Sequence, residues 1–171
     1  NRVDAGSIYL QEEYIITTKA TTGMVWADLS VAGANLLVKT LDGIESNSIL
    51  PIKQDLTKSS PAPKLKSEMY CIDWHKSSVE IHNQIRAFSP KPGAFTILNN
   101  TRIKLFESQL ADTNSLKHGE FKFIDERIIV GTGKGDLIIE SVQLEGKRRM
   151  PVLDFYKGMI NKIEGKVISF G

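Results

Sequence analysis

Cysteine, long apolar runs and net charge are all scarce in this sequence. A single cysteine among 171 residues excludes a framework of disulfides and favours a reducing, cytoplasmic compartment. No segment reaches the roughly 18 consecutive apolar residues of a membrane helix, and residues 1–4 lack the apolar core of a cleavable signal. The net charge of +2 does not by itself point to nucleic acid. With 41% hydrophobic and 25% charged residues, the chain has enough apolar surface to fold.

The first 49 residues predict one strand and one helix. Residues 8–16 alternate loosely and are rich in β-forming side chains, which is typical of a strand. After a candidate N-cap at Thr21 or Thr22, apolar residues recur at helical spacing and form one stripe: Val25, Leu29, Ala32, Leu36, Leu37, Leu41 and Ile44. Because a lone strand and helix cannot bury both of their faces, we interpret this segment as the tail of a larger α/β unit.

Residues 50–66 contain three prolines, several polar residues and no periodicity, so they are predicted to be a linker. Beyond them, Ser77 and Glu80 have the spacing of a capping box at a helix N-terminus. The helix that follows would bury a stripe of three apolar residues and end at the prolines of residues 89–93. That stripe consists of Ile81, Ile85 and Phe88.

The rest of residues 67–171 reads as short strands. Asn99 and Asn100 tolerate the positive φ angles of a tight turn, so the residues around them predict a hairpin. Further strands are predicted at residues 121–124, 127–130 and 137–144, and Met150-Pro151 is predicted to open a last short helix. Short strands with two small helices indicate a small barrel-like β domain. The whole chain is therefore predicted to be α+β.

The basic residues are unevenly distributed along the chain. Residues 1–63 carry five basic and seven acidic groups, and the remainder carries 17 basic and 13 acidic groups. Within the remainder, Arg102 and Lys104 alternate with apolar residues, which places both on one face of a strand, and Lys147, Arg148 and Arg149 form a compact run. These cations could form a phosphate-binding patch or simply a solvated face.

Other candidate sites have weaker support. Residues 131–135 are rich in glycine, but they lead into a strand and lack the Gly-Lys-Ser/Thr ending of a phosphate loop, so they are predicted to be a hairpin loop. Four side chains could ligate a metal, but their spacing fits no zinc pattern. They are Cys71, His75, His82 and His118. No Gly-x-Ser-x-Gly segment presents a serine nucleophile.

Four segments together resemble the methionyl-tRNA formyltransferase family. Residues 3–8, Val-Asp-Ala-Gly-Ser-Ile, are similar to the family's Leu-Asp-x-Gly-Asp-Met/Ile segment. Residues 62–65 with 72–74 are similar to its entry into the second domain, and residues 143–150 to its closing Gln-x-x-Gly-Lys-x-x-Met segment. Residues 81–94 are the most specific match. Ser7 stands where the family commonly has Asp, and Lys91 where it usually has Trp.

The resemblance implies that this chain is the C-terminal half of such an enzyme. Residues 1–49 would be the end of the catalytic α/β domain, 50–66 the linker, and 67–171 an OB-like tRNA-binding domain. Asp4 would be the catalytic carboxylate, whose Asn and His partners lie upstream of this chain. The tRNA-binding residues would be Arg86, Lys91, Arg102, Lys104, Lys147, Arg148 and Arg149.

The implied reaction transfers a formyl group from 10-formyltetrahydrofolate to the α-amino group of methionyl initiator tRNA in the cytoplasm. Without the upstream residues, the chain alone is expected to be inactive and to hold no folate. Its expected partners are initiator tRNA and the missing N-terminal domain, with no membrane and a monomeric complete enzyme. The alternatives are a sugar-nucleotide N-formyltransferase, the hydrolase domain of formyltetrahydrofolate dehydrogenase, and a stand-alone nucleic-acid-binding module.

Overall fold

The computed structural model of the chain describes the backbone of residues 3–163 and 168–170, with side-chain surroundings given up to residue 159 and at residue 170. The chain divides into two compact units. The first consists of Asn1–Ala20 and Met24–Lys64, and the second of Thr21–Gly23 and Leu65–Gly171. None of the helices in the described residues has the length and apolar character required to cross a membrane.

The first unit is built on one long helix, α1 (Thr22–Glu45), as the apolar spacing predicted. The predicted strand at residues 8–16 is wrong: Ile8 makes a single antiparallel bridge to Ile52, and residues 9–16 pair with no strand of the described chain. A β-strand needs a ladder of backbone partners, and Ile52 alone does not provide one. Instead, the Tyr14 hydroxyl donates a hydrogen bond of 2.6 Å to the Asp28 carboxylate on α1, which raises the pKa of Tyr14.

The apolar stripe of α1 is largely exposed in the described structure. Leu37 and Leu41 of the stripe are 58% and 57% exposed, and Trp26, about three helical turns before Leu37 and on the same side of the helix, is 73% exposed. Gly43 is the one described residue of this helix that is buried. Residues 46–66 contain a short 3₁₀ turn at Leu56–Lys58, which Asp55 caps by accepting a hydrogen bond from the Thr57 amide. The helix therefore has the amphipathic sequence of a packed helix without the burial that such a stripe normally achieves.

The second unit consists of an antiparallel sheet and two helices. The sheet contains β1 (Ala94–Leu98), β2 (Thr101–Leu110), β3 (Glu120–Ile124), β4 (Arg127–Gly131), β5 (Asp136–Leu144), β6 (Met150–Pro151) and β7 (Ile168–Ser169). The strand order is β1-β2-β5-β4-β3-β7, and β6 pairs with β5. The helices are α2 (Ser78–Ala87) and α3 (Val152–Ile163), and a 3₁₀ turn spans Ser67–Tyr70. The prediction of an α+β fold is confirmed at this level.

Two local predictions in this unit are confirmed by their geometry. The Ser77 side chain accepts a hydrogen bond from the Glu80 amide while the Glu80 carboxylate accepts one from the Ser77 amide, which is a complete capping box. Asn99 and Asn100 have φ angles of 48° and 62° in the turn between β1 and β2. Both conformations suit asparagine better than most residues.

The predicted start of the last helix is wrong by two residues. Met150 and Pro151 form strand β6 against Val142 and Ser141 of β5, and α3 begins at Val152. Proline lacks an amide donor but can occupy an edge strand. Pro151 therefore ends a short edge strand instead of opening the helix.

The sheet encloses the core on one side. Ile81 and Ile85 of α2 are buried against Ile103 and Leu105 of β2 in a single apolar cluster. Trp74 also belongs to this cluster, and its indole N–H donates a hydrogen bond of 3.0 Å to the Thr96 hydroxyl. We call this the inner side of the sheet and the opposite side the outer side.

The buried side of β2 changes at Glu107. Ile103, Leu105 and Phe106 are buried before it, and beyond it Ser108 contacts His82 of α2 on the inner side, a shift that a regular two-residue alternation does not make. Glu107 lies at the change with a φ of 50°. The pairings described give an open path from β1 to β7, so a closed OB-like barrel remains a prediction.

Candidate nucleic-acid interface

The cross-strand register places basic and aromatic side chains on the outer side of the sheet. Lys104 of β2 pairs with Phe95 of β1 and with Gln143 of β5, and Arg102 pairs with Ile97. Directly paired residues of antiparallel strands project from the same side. The structure therefore brings together Arg102 and Lys104, which the alternation of β2 had predicted to share a face.

Both cations are held by neighbours on that side. The Arg102 guanidinium lies 4.1 Å from the centre of the Phe95 ring, a cation–π distance. The Lys104 ammonium donates a hydrogen bond of 2.7 Å to the Pro92 carbonyl. Neither of these partners is negatively charged. Lys91, one residue before Pro92, is exposed.

Arg149 reaches the same side but is already paired. Its guanidinium lies 2.6 Å from the Glu107 carboxylate, donates to the Ser141 hydroxyl at 2.7 Å and lies 4.6 Å from the centre of the Phe106 ring. We name the outer surface of Arg102, Lys104, Phe95, Phe106 and Arg149 the cationic face. Because Glu107 offsets the charge of Arg149, Arg149 adds little positive potential to the cationic face. Its contacts instead join residue 149 to Glu107 and Phe106 of β2.

The turn after β5 carries Lys147 and Arg148. The Lys147 amide donates to the Leu144 carbonyl at 3.0 Å, and the Lys147 carbonyl accepts from the Gln143 side chain at 2.8 Å. Both basic side chains are exposed. A shallow basin of 210 Å³ separates this turn from Arg102 and Lys104. Glu145 lines the basin as well, so the surface there is not uniformly positive.

Arg86 does not belong to the cationic face. It lies on α2, which packs against the inner side of the sheet through Ile81 and Ile85. Its guanidinium donates a hydrogen bond of 2.9 Å to the Asn83 side chain. The structure thus groups Arg102 and Lys104 with Arg149 and separates Arg86 from them.

Two residues of the cationic face were missed in the sequence. The sequence predicts only strand positions for Phe95 and Phe106. In the structure, the Arg102 guanidinium lies over the Phe95 ring and the Arg149 guanidinium over the Phe106 ring. The predicted hairpin around Asn99 and Asn100 already implied a pairing of residue 95 with residue 104, which would have placed Phe95 beside Lys104. No signal in the sequence linked Phe106 to Arg149.

Asp4 lies in an exposed turn of the first unit. Its φ angle is 58°, and the Gln54 side chain donates hydrogen bonds to the carbonyls of Asp4 and Gly6 at 3.0 and 2.7 Å. Gln54 therefore fixes the backbone of the turn and leaves the carboxylate exposed.

The side chains considered as metal ligands do not form a centre. The rings of His75 and His118 lie 4.1 Å apart, His82 contacts the Ser108 hydroxyl at 2.9 Å, and Cys71 is exposed. The amide and ring of His75 both contact the Asp73 carboxylate, which lowers the pKa of Asp73. Across the described residues, no three His, Cys, Asp or Glu side chains are grouped so that they could hold a metal ion.

Gly131 ends β4, and residues 132–135 form the loop to β5, so the predicted hairpin is confirmed. The amide of Gly133 donates to the Lys76 carbonyl at 2.9 Å, and a β-carbon at this position would lie only 1.8 Å from the His75 carbonyl oxygen. Glycine is required here by the close approach of two backbones. The loop is therefore an internal packing element and not a phosphate site.

The fold and this surface define an α+β domain with a basic, partly aromatic outer sheet surface. Residues 64–159 match the family described as "Formyl transferase, C-terminal domain", and the chain belongs to that family. A methionyl-tRNA formyltransferase of Lachnospira eligens is 34% identical over 173 residues, covering 97% of this chain and 54% of that protein. The chain spans about half the length of the curated relatives it matches. These findings confirm the resemblance inferred from the motifs.

Two solved structures share the fold. A variant of HypX from Aquifex aeolicus has a TM-score of 0.76 at 18% identity, covering 95% of this chain and 29% of that one. The sugar 3N-formyl transferase WlaRD has a TM-score of 0.62 at 27% identity, covering 86% of this chain and 53% of that one. At 18% identity the likeness to HypX concerns the fold alone.

Proposed function

We propose that this chain is the C-terminal part of a cytoplasmic methionyl-tRNA formyltransferase, and that its second unit binds initiator methionyl-tRNA. The observation that carries the proposal is the pair of unneutralised cations, Arg102 and Lys104, on one outer surface beside Phe95. Cations of this kind attract phosphates without reading sequence. The high identity to methionyl-tRNA formyltransferases over nearly the whole chain favours tRNA as the phosphate-bearing partner.

The same proposal assigns a role to each segment. Residues 1–49 are the end of the catalytic α/β domain, 50–66 are the linker, and 67–171 are an OB-like tRNA-binding domain. The exposed stripe of α1, which includes Trp26 and Leu37, supports this assignment because a helix of this pattern normally packs against further structure. That further structure would be the remainder of the catalytic domain, and the complete enzyme would act as a monomer.

In the proposed reaction, the α-amino nitrogen of methionyl-tRNA forms a bond to the formyl carbon of 10-formyltetrahydrofolate. The bond from that carbon to the folate nitrogen breaks, and tetrahydrofolate leaves with a proton on that nitrogen. Asp4 would accept the proton that the amine loses. The described surroundings of Asp4 are an exposed turn held by Gln54. They do not form a cradle for a folate ring, so the proposal gives this chain no folate-binding step. The chain alone is therefore proposed to bind tRNA without catalysing formyl transfer.

The experiment measures tRNA affinity of the 171-residue chain as a function of salt. The logarithm of the affinity should fall linearly with the logarithm of salt concentration, and Arg102→Ala and Lys104→Ala should each reduce the magnitude of that slope by about one. Lys122→Ala is the matched control, because Lys122 is an exposed strand lysine of β3, away from the cationic face. A slope that changes equally for Lys122→Ala, or an affinity insensitive to salt, would contradict the proposal.

The same protein preparation tests the catalytic half of the proposal. A formylation assay with methionyl-tRNA and 10-formyltetrahydrofolate should show no turnover by this chain, and measurable turnover would contradict the proposal.

Arg149→Ala is a further check on the phosphate-binding surface. Because Glu107 already neutralises Arg149, this substitution should change the salt slope less than Arg102→Ala does.

A sugar N-formyltransferase is the second candidate, favoured by the likeness to WlaRD over 86% of the chain. WlaRD was solved in the presence of dTDP. If this candidate is correct, a dTDP-linked amino sugar will bind or be formylated once the upstream part is present, while tRNA will show no salt-dependent binding. Reading the residues encoded before Asn1 in the gene separates both enzymes from a stand-alone nucleic-acid-binding module.

A further inference from the structure

A cavity lies next to the basin of the cationic face, between the β1–β2 turn, the end of β5 and α3. Its volume is 510 Å³, within the roughly 300–1,000 Å³ of sites that hold small ligands. Hydrogen-bonding side chains on its wall come from four different elements. They are Asn99 from the β1–β2 turn, Thr101 from the start of β2, Lys147 from the turn after β5, and Asp154 from α3.

The remainder of the cavity wall is apolar. Phe155 and Ile103 are 3% and 1% exposed and belong to the core cluster, against which Met150 and Met159 are packed in partly buried positions. An aromatic ring and two methionine sulfurs make favourable contacts with a flat aromatic ligand. Together with the amide, hydroxyl, ammonium and carboxylate groups on the wall, this lining suits a flat ring that carries both donors and acceptors.

The cavity adjoins the cationic side of the domain. Leu144 lines both the cavity and the 210 Å³ basin that Arg102 and Lys104 also line. Thr101 lines the cavity and its neighbour Arg102 lines the basin, so the two recesses are neighbours at this end of the sheet. Lys147, on the turn at this end, adds a positive charge to the cavity wall. A chain with regularly spaced phosphates and flat rings fits this arrangement, with phosphates on the cations and one ring in the cavity.

We propose that the cavity holds one unpaired nucleobase of an RNA strand whose phosphates lie on Arg102, Lys104 and Lys147. Proteins recognise RNA mainly through such unstacked bases, which they surround with aromatic and hydrogen-bonding side chains. This inference rests on the proposed function, because the RNA is the tRNA named there. It adds a base-recognition site to a surface that otherwise binds only phosphates.

The test fills the cavity without disturbing the fold. Apart from its chain neighbours and its own helix backbone, a β-carbon added at Gly158 would meet no atom of the described residues within 4 Å, and Gly158 lies on α3 in the cavity wall. Gly158→Leu should therefore occupy the cavity while it favours the helix. Gly33→Leu is the matched control, since Gly33 is also a helical glycine whose β-carbon would meet open space.

We expect Gly158→Leu to weaken tRNA binding by at least about fivefold, the lower end of the loss expected when one base no longer stacks. The salt dependence should stay unchanged, because no phosphate contact is removed, and the melting temperature should not fall. Gly33→Leu should bind tRNA like the unmodified chain. If the unmodified chain binds tRNA and Gly158→Leu binds it equally well, the base site is overturned while the phosphate-binding surface stands.

A second measurement reports on the cavity even if tRNA does not bind. The chain has four methionines, of which Met150 and Met159 line the cavity and Met24 and Met69 do not. In methyl NMR, adenosine or uridine monophosphate should shift the signals of Met150 and Met159 only, inorganic phosphate should shift neither, and Gly158→Leu should abolish the shifts. No shift with either nucleotide overturns the inference. Absence of salt-dependent tRNA binding instead overturns the proposed function. If the methionine signals shift with a nucleotide although tRNA does not bind, the cavity is a site for free nucleotides, and its assignment to RNA is overturned as well.

Discussion

Helices α1 and α2 have similar amphipathic sequences and opposite surroundings. In α2, Ile81 and Ile85 are 0% and 1% exposed. In α1, which is more than twice as long, Gly43 is the one described residue that is buried. The comparison shows that helical spacing identifies the side of a helix that is suited to packing. Whether a chain also supplies the packing partner is a separate property, which periodicity does not report.

The largest expected difference between the units is in the free energy of unfolding that an isoleucine-to-alanine substitution removes. Ile85→Ala in α2 should lower the free energy of unfolding by about 3 kcal/mol, since it removes a buried side chain and leaves a cavity. Ile44→Ala in α1 should cost less than about 1 kcal/mol, because Ile44 is 41% exposed and surface substitutions have small effects. Both changes replace isoleucine by alanine in a helix, so helix propensity affects them equally. Urea denaturation followed by circular dichroism measures both, and equal losses would show that α1 is packed as tightly as α2.

Local features of the second unit could be predicted from neighbouring residues alone. The capping box needs only Ser77 and Glu80, and the hairpin needs only two asparagines between two apolar runs. In these cases the groups that determine the structure lie within a few positions of each other. The same locality explains why the loop at residues 131–135 was correctly assigned to a hairpin.

The two incorrect predictions of secondary structure involve partners that are distant in the chain. Residues 8–16 have the composition of a strand, but Ile52 is the one residue of the described chain that bridges to this segment. Pro151 fits a helix start by local rules, but pairing with Ser141 places it in a strand. The ion pair between Arg149 and Glu107 likewise joins two residues that no motif connects, so it could not be predicted from the sequence. The assignment of Arg149 to tRNA binding stays a prediction.

The capping box allows a smaller and pH-dependent test of the second unit. Ser77→Ala should lower the free energy of unfolding by about 1 kcal/mol, the usual effect of removing an N-cap side chain. The hydrogen bonds from the Ser77 hydroxyl and amide hold the pKa of Glu80 below its ordinary value of 4.5. A carboxylate with a lowered pKa stabilises the folded state above its unfolded pKa, and this contribution is lost as the pH falls through its folded pKa.

Glu80→Gln should therefore melt at a lower temperature than the unmodified chain at pH 7, and the difference should shrink as the pH falls below the ordinary Glu80 pKa of 4.5. Glu13→Gln is the control in the first unit, where Glu13 lies in an exposed segment outside any helix or strand. If the difference between Glu80→Gln and the unmodified chain persisted at low pH, the charged form of Glu80 would not be the stabilising species.

The two tryptophans give the smallest perturbation and the most direct comparison of the units. Trp26 in the first unit is 73% exposed, whereas Trp74 in the second is 4% exposed and donates a hydrogen bond to Thr96. Acrylamide should therefore quench Trp26 strongly and Trp74 weakly. Trp26→Phe should leave a shielded, blue-shifted emission with little change in stability, and Trp74→Phe should leave an exposed one. If acrylamide quenched Trp26 only weakly in this chain, the exposure of the apolar side of α1 would be wrong.

In a longer protein that carries the N-terminal part of the relatives, Trp26 should become shielded from acrylamide while the quenching of Trp74 stays unchanged. Continued exposure there would contradict the assignment of residues 1–49 to a catalytic domain, because the stripe of α1 would then have no packing partner in the complete enzyme either.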